Sequence, residues 1–132
     1  MRNYAKRKKN LKRREETMLV LPIKKKWFDM IASGVKREEY RDMTQYYRKR
    51  FQNLGLLDEQ GRATFKDAQV IFRNGYSKNS KQFEAKVSLR KRGGSTEWGA
   101  EQGKRYFVLL IKSISGGEHE NEVDDGNGTS TI

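Results

Sequence analysis

Between Phe83 and Arg90 the chain alternates without a break: Phe83, Ala85, Val87 and Leu89 are apolar, and Glu84, Lys86, Ser88 and Arg90 are polar or charged. A period of two puts each set on its own side of the backbone, which predicts a strand with one buried and one wet face and implies antiparallel pairing. Tyr106–Ile111 is apolar on both faces, so it belongs in the middle of a sheet, covered on each side. Met18–Leu21 forms a shorter apolar run that ends at Pro22, which donates no ladder hydrogen bond and suits a strand end. Lys36–Asp42 reads as a polar strand with Tyr40 as its strong β-former, and Ala68–Phe72 as another. Asn74-Gly75 opens a loop that runs to Lys81, and the glycine-rich stretch Arg92–Lys104 around Trp98 is a long loop or wide hairpin.

Two segments carry helical spacing instead. Trp27, Phe28, Met30 and Ile31 predict a helix over Lys26–Ser33 with these residues in the core, closed by Gly34 as a left-handed cap. Tyr47, Phe51 and Leu54 fall on one face of a second helix, capped by Asp42 or Thr44 and ended by Gly55, with Arg48, Lys49 and Arg50 on its remaining surface. The order β-α-β-α-β-β-β predicts an α+β fold: a small mixed sheet rolled into a partly open barrel, with the two short helices plugging its ends.

At 132 residues the chain suits a single core. Its charge falls in three blocks. Residues 1–16 carry eight Lys/Arg and two Glu, a net of +6, and 117–132 carry five acids and no Lys/Arg, a net of −5. Both are expected to be flexible arms flanking a domain at 17–116, which itself holds a net of +11. A fold that is basic without its basic arm points to a polyanionic partner, with nucleic acid first among them, although the excess does not separate DNA from RNA and a solvated lysine-rich surface produces the same count.

Several chemistries are excluded. There is no cysteine, which removes thiolate metal sites, disulfides and cysteine nucleophiles, and the one histidine, His119, lies in the acidic segment, far from any Ser-His-Asp or multi-histidine pattern. Gly99–Lys104 fails the phosphate-loop pattern because Arg105 follows Gly103-Lys104, and no carboxylates are paired at metal-binding spacing, so neither metal nor cofactor is expected. No apolar run approaches the ~20 residues of a membrane helix, and no signal-like apolar segment follows the basic N-terminus, so a cytoplasmic protein is expected, taken as a monomer.

The densest candidate for chemistry is Ser33–Arg41, where a helix stops at glycine and charged residues enter a strand. Gly34, Lys36, Glu39 and Arg41 match the G-x-K-x-x-E-x-R motif, and the segment resembles the ASCH domain, a branch of the PUA-like superfamily. Leu21-Pro22-Ile23-Lys24 and Trp27–Ile31 are similar to that family's first strand and helix, and Ile71–Tyr76 and Glu97-Trp98-Gly99 to later segments of small bacterial and phage-type members, so the likeness spans about 18–115. The resemblance implies a PUA-like β-barrel with a ligand- or RNA-binding cleft beside the motif, involving Lys24, Lys36, Glu39 and Arg41.

Read as residues alone, Lys36, Glu39 and Arg41 form either a recognition set, with cations for phosphate and a carboxylate for a base amino group, or a structural ion pair. Strand alternation places Glu39 and Arg41 on one face and Lys36 on the other, unless Lys36 still belongs to the turn. Arg73, Asn74 and Tyr76 combine a cation, an amide and a ring, the means of holding unstacked bases, while Asn74-Gly75 equally suits a hairpin. Trp98 either stacks on a base or closes the barrel.

Some ASCH-like proteins hydrolyse the acetyl amide of N4-acetylcytidine with a Lys, a Thr and a Glu. Lys36 matches that lysine, but Glu39 stands where the hydroxyl nucleophile is expected. The first expectation is therefore an RNA-binding or nucleotide-recognising module. The alternative is a small amidohydrolase on a modified nucleoside with Lys36 and Glu39 as catalytic groups, and the third a protein-interaction adaptor.

Overall fold

The computed structural model describes residues 18–115. The expected basic arm at 1–16 and acidic tail at 117–132 lie outside the described residues. Within them, the chain runs β1 (Val20–Ile23), α1 (Lys25–Ala32), β2 (Glu38–Arg41), α2 (Gln45–Asn53), β3 (Asp67–Asn74), β4 (Gln82–Gly93), a short 3-10 turn (Thr96–Trp98) and β5 (Arg105–Ser115). The fold is α+β, a curled five-stranded mixed sheet that forms a half-barrel with two helices.

The strands lie in the order β1-β3-β4-β5-β2. The long β3, β4 and β5 pair antiparallel, as the alternating pattern implies, and β2 joins antiparallel to β5. β1 runs parallel to β3 and makes the sheet mixed, as the element order predicts, because α1, β2 and α2 intervene and carry the chain back to the starting end. The first strand also does not stop at Leu21: Pro22 lies within it, opposite Arg73. An edge strand has one unpaired side, where a missing N–H costs no ladder bond.

The inner face carries the core. Val70 and Phe72 of β3, the alternating Phe83, Ala85, Val87 and Leu89 of β4, and Phe107 and Leu109 of β5 are all buried there with Phe28, Ile31 and Phe51 of the helices. Phe28 meets Phe83 at the start of β4 (centroids 4.8 Å apart), and Phe51 meets Phe107 near the other end of that strand, where Lys91 pairs with Phe107 (5.4 Å). The helices thus pack toward opposite ends of the sheet. Of the four residues assigned to the core on α1, only Phe28 and Ile31 are buried; Trp27 and Met30 are half-exposed.

β5 is covered on both sides, as its double-faced apolar sequence predicts. On the outer side Tyr106 and Val108 pack with Tyr40, Leu110 and Ala100 in a second cluster, and the β4–β5 loop lies over it. A Cβ on Gly94 would overlap the Tyr40 ring, so only glycine lets the loop approach this closely. Tyr40 Oη accepts from the Ser95 N–H (2.8 Å) and donates to Glu38 Oε1 (2.7 Å). Burial raises the Tyr40 phenol well above its ordinary 10.0, and Glu38 raises it further against the pull of the Ser95 N–H.

Because the folded-state value is the higher one, the contribution of Tyr40 is complete below pH 10 and is lost as the pH climbs above it. Wild-type stability should therefore decline between about pH 9 and about pH 11 more steeply than that of Tyr40→Phe, in urea unfolding at fixed salt. Parallel declines would show that the phenol ionises as freely folded as unfolded.

Candidate functional site

The helix α1 starts directly after β1, and Gly34 (φ +86°) turns the chain so that Lys36 precedes β2 instead of lying in it. Lys36 therefore escapes strand alternation and joins Glu39 and Arg41 on one side. Lys36 is 1% exposed and Glu39 7%. Glu39 holds both cations, with Oε1 3.1 Å from Lys36 Nζ and Oε2 2.8 Å from Arg41 Nη2.

Each cation is also tied to a distant part of the chain. Lys36 Nζ donates to the Glu38 carbonyl (2.5 Å) and to the Trp98 carbonyl (3.0 Å), so with Glu39 all three of its donors are engaged. It clips the 3-10 turn of the β4–β5 loop onto the start of β2. Burial lowers its pKa below the ordinary lysine value, against the opposing pull of Glu39. Arg41 Nη1 donates to Tyr47 Oη (3.0 Å), and Nη2 donates to the Pro22 carbonyl (2.9 Å) as well as to Glu39. β1 and β2 are the two edges of the sheet, so one guanidinium spans the open seam of the half-barrel. Its Nε is buried without a partner.

Along that seam runs a cleft of about 330 Å³, lined by Pro22, Ile23, Lys24, Trp27, Glu39, Arg41, Gly75 and Tyr76. This is within the range of small-ligand sites. Its walls come from the ends of β1 and β3, with the Glu39–Arg41 pair from β2. Tyr76 is 87% exposed, a position that no core packing explains. Trp27 is backed by the β4–β5 loop, where Gly99 (φ +101°) stands so close that a Cβ would lie 3.0 Å from the indole, and Lys26 Nζ sits 4.6 Å from the ring. The cleft thus combines two aromatic surfaces, an exposed lysine, and an arginine–carboxylate pair already oriented by partners of its own.

Of the residues singled out from sequence, Lys24, Glu39, Arg41 and Tyr76 meet in this cleft, and Lys36 lies against it through Glu39. Three do not line it. Arg73 Nε donates to Gln82 Oε1 (3.0 Å) across β3 and β4. Asn74 sits at the hairpin, its N–H bound to the Lys81 carbonyl (2.9 Å), which is the turn role left open above. Trp98 takes part through its carbonyl, held by Lys36; the residue is half-buried and does not line the cleft.

Two participants lay outside the sequence-based set. Trp27 shares the helical period of Phe28 and Ile31 and so reads as core; the preceding Lys24-Lys25-Lys26 is the signal that this end of the helix opens toward water. Tyr47 shares its helix face with Phe51 and packs against the core, and its hydroxyl is also the acceptor that steadies Arg41. Among the described residues no cluster of three or more His, Asp or Glu side chains is arranged to hold a metal, and no helix is long and apolar enough to cross a membrane. No protein-family model, no curated protein and no solved structure matches this chain.

Proposed function

We propose that this protein binds single-stranded RNA and takes one of its nucleotides into the cleft, in the manner of an ASCH-type, PUA-like module. The observation that carries this is the meeting, in one cleft of nucleotide size, of the open Tyr76 ring and Trp27 with Lys24 and the Glu39–Arg41 pair. Stacking on rings holds any unpaired base, cations hold its phosphates, and a positioned carboxylate and guanidinium discriminate among base edges. The G-x-K-x-x-E-x-R match and the curled mixed sheet support the family resemblance. The net +11 of residues 17–116 supplies the long-range attraction.

A hydrolase would need Lys36 or Glu39 to exchange a proton or activate water. The three donors of Lys36 are already engaged, and each Glu39 oxygen lies against a cation, so both favour a positioning role. Binding therefore fits the geometry better than amide hydrolysis.

The test is a fluorescence titration with a short unstructured RNA, repeated over a range of salt. Contact with ~5 phosphates predicts a log-log salt slope near −3.5. Tyr76→Ala should weaken binding by ~1–3 kcal/mol through lost stacking, and its urea midpoint should match the wild type because the side chain is 87% exposed. A flat salt slope, or equal affinity of Tyr76→Ala and wild type, would overturn the proposal. Acetate release from N4-acetylcytidine, lost in a folded Lys36→Ala, would replace it with the amidohydrolase.

A further inference from the structure

Arg41 belongs to the cleft but also to a second row of groups that leaves it. Its Nη1 is bonded to Tyr47 Oη, with Cζ 5.7 Å from that ring. The Tyr47 ring meets Tyr46 edge to face with centroids 5.0 Å apart. Arg50 Cζ in turn lies 3.5 Å from the Tyr46 centroid, and Arg50 Nη1 donates to the Tyr46 carbonyl (3.2 Å), so the guanidinium is fixed over the ring. The row therefore runs without a gap from the cleft floor, through Arg41 and Tyr47, to an outward stack of Tyr46 and Arg50 on α2.

Core packing accounts for Tyr47, which stacks on Phe51, but not for Tyr46, which is 56% exposed one residue earlier on the helix. An exposed aromatic ring with a guanidinium fixed over it is a planar cationic platform, and unstacked bases settle on such surfaces. The charge of the helix itself has one sign. Residues 45–53 contain Arg48, Lys49 and Arg50 and no acid, which suits a phosphodiester chain and disfavours a cationic peptide.

We infer that the Tyr46–Arg50 stack is a second nucleotide subsite, which receives the base adjacent to the one in the cleft and makes the protein a reader of consecutive nucleotides instead of single ones. This rests on the nucleotide-binding reading of the cleft. Arg41 and Tyr47 stand between the two subsites and hold them at a fixed separation, and Lys49 and Arg50 supply charge at the outer end. The shared occupant is single-stranded RNA, since a duplex keeps its bases stacked on one another and offers no free face to Tyr46.

The experiment compares wild type, Tyr46→Ala and Tyr46→Phe for binding to adenosine and uridine monophosphates and to the matching di- and trinucleotides, with thermal melts to confirm that each variant is folded. The quantity read is the ratio of oligonucleotide to mononucleotide affinity. In the wild type it should be at least about fivefold, the low end of one base–ring stack. Tyr46→Ala should bring it toward the value expected for added phosphate charge alone, and Tyr46→Phe should keep it, because the ring and not the hydroxyl makes the platform. A ratio equal in wild type and Tyr46→Ala overturns the second subsite while leaving the cleft intact. Absence of mononucleotide binding by the wild type overturns the cleft reading, and the second subsite with it.

Discussion

Glu39→Ala should lower the unfolding free energy by about 3–5 kcal/mol, the cost of stranding buried charge. Glu39 is the anion between two cations, Lys36 at 1% exposure and Arg41, whose side chain is 13% exposed. Its removal leaves both desolvated and facing each other without an intervening carboxylate. Each cation retains carbonyl acceptors, Glu38 and Trp98 for Lys36 and Pro22 for Arg41, so the loss is of charge compensation more than of hydrogen bonds.

A second substitution isolates that cause. Adding Lys36→Met removes one stranded cation and keeps similar volume, so the double variant should regain part of the stability lost in Glu39→Ala, a coupling that urea unfolding of the four proteins in a double-mutant cycle measures. A Glu39→Ala cost below about 1 kcal/mol, the scale of a solvent-exposed pair, would show that water reaches these groups. The seam should suffer as well, because Arg41 then spans β1 and β2 with no anion to hold Nη2 in place.

Phe51→Ala carries a comparable cost, about 3–5 kcal/mol, from lost apolar transfer and the cavity left behind. Phe51 is fully buried, stacks on Tyr47 (5.8 Å) and meets Phe107 edge to face (5.4 Å). Its carbonyl also accepts from Leu56 (2.9 Å) and Leu57 (3.3 Å), which turn the chain out of α2 toward β3. Beyond stability, the cavity would free the Tyr47 ring and with it the acceptor of Arg41. Phe51→Leu, which refills much of the space, should lose less than half as much. Thermal and urea unfolding read the stability, and equal melting of Phe51→Ala and wild type would contradict the packing described here.

The elements and the site differ in how far the sequence reveals them. The β4 pattern specifies its buried face residue by residue, because strand alternation is a local geometric fact. Thr44 and Gly55 mark the two ends of α2 for the same reason: Thr44 Oγ1 takes the Tyr47 N–H (3.2 Å), and Gly55 adopts φ +80°. Glu39 and Arg41 are placed together by a period of two, and Lys36 joins them only because the turn at Gly34 delays the strand. Trp27 and Tyr47 are not legible as site residues, because a half-buried aromatic at helical spacing has the same pattern as a core residue; what it faces depends on another segment.

What the chain by itself determines is thus the set of strands and helices, the inner and outer faces of β4, the covering of β5 on both sides, the basic character of residues 17–116, and the placing of Glu39 and Arg41 on one side of β2, since each follows from backbone geometry or charge over a few neighbouring residues. Only the tertiary structure decides that β1 lies parallel to β3, that β2 crosses to the far edge beside β5, and that the seam between those edges brings Lys24, Trp27 and Tyr76 to the Arg41 guanidinium. Those relations depend on contacts between segments separated by tens of residues, and their energies come from packing and desolvation, which no local pattern encodes.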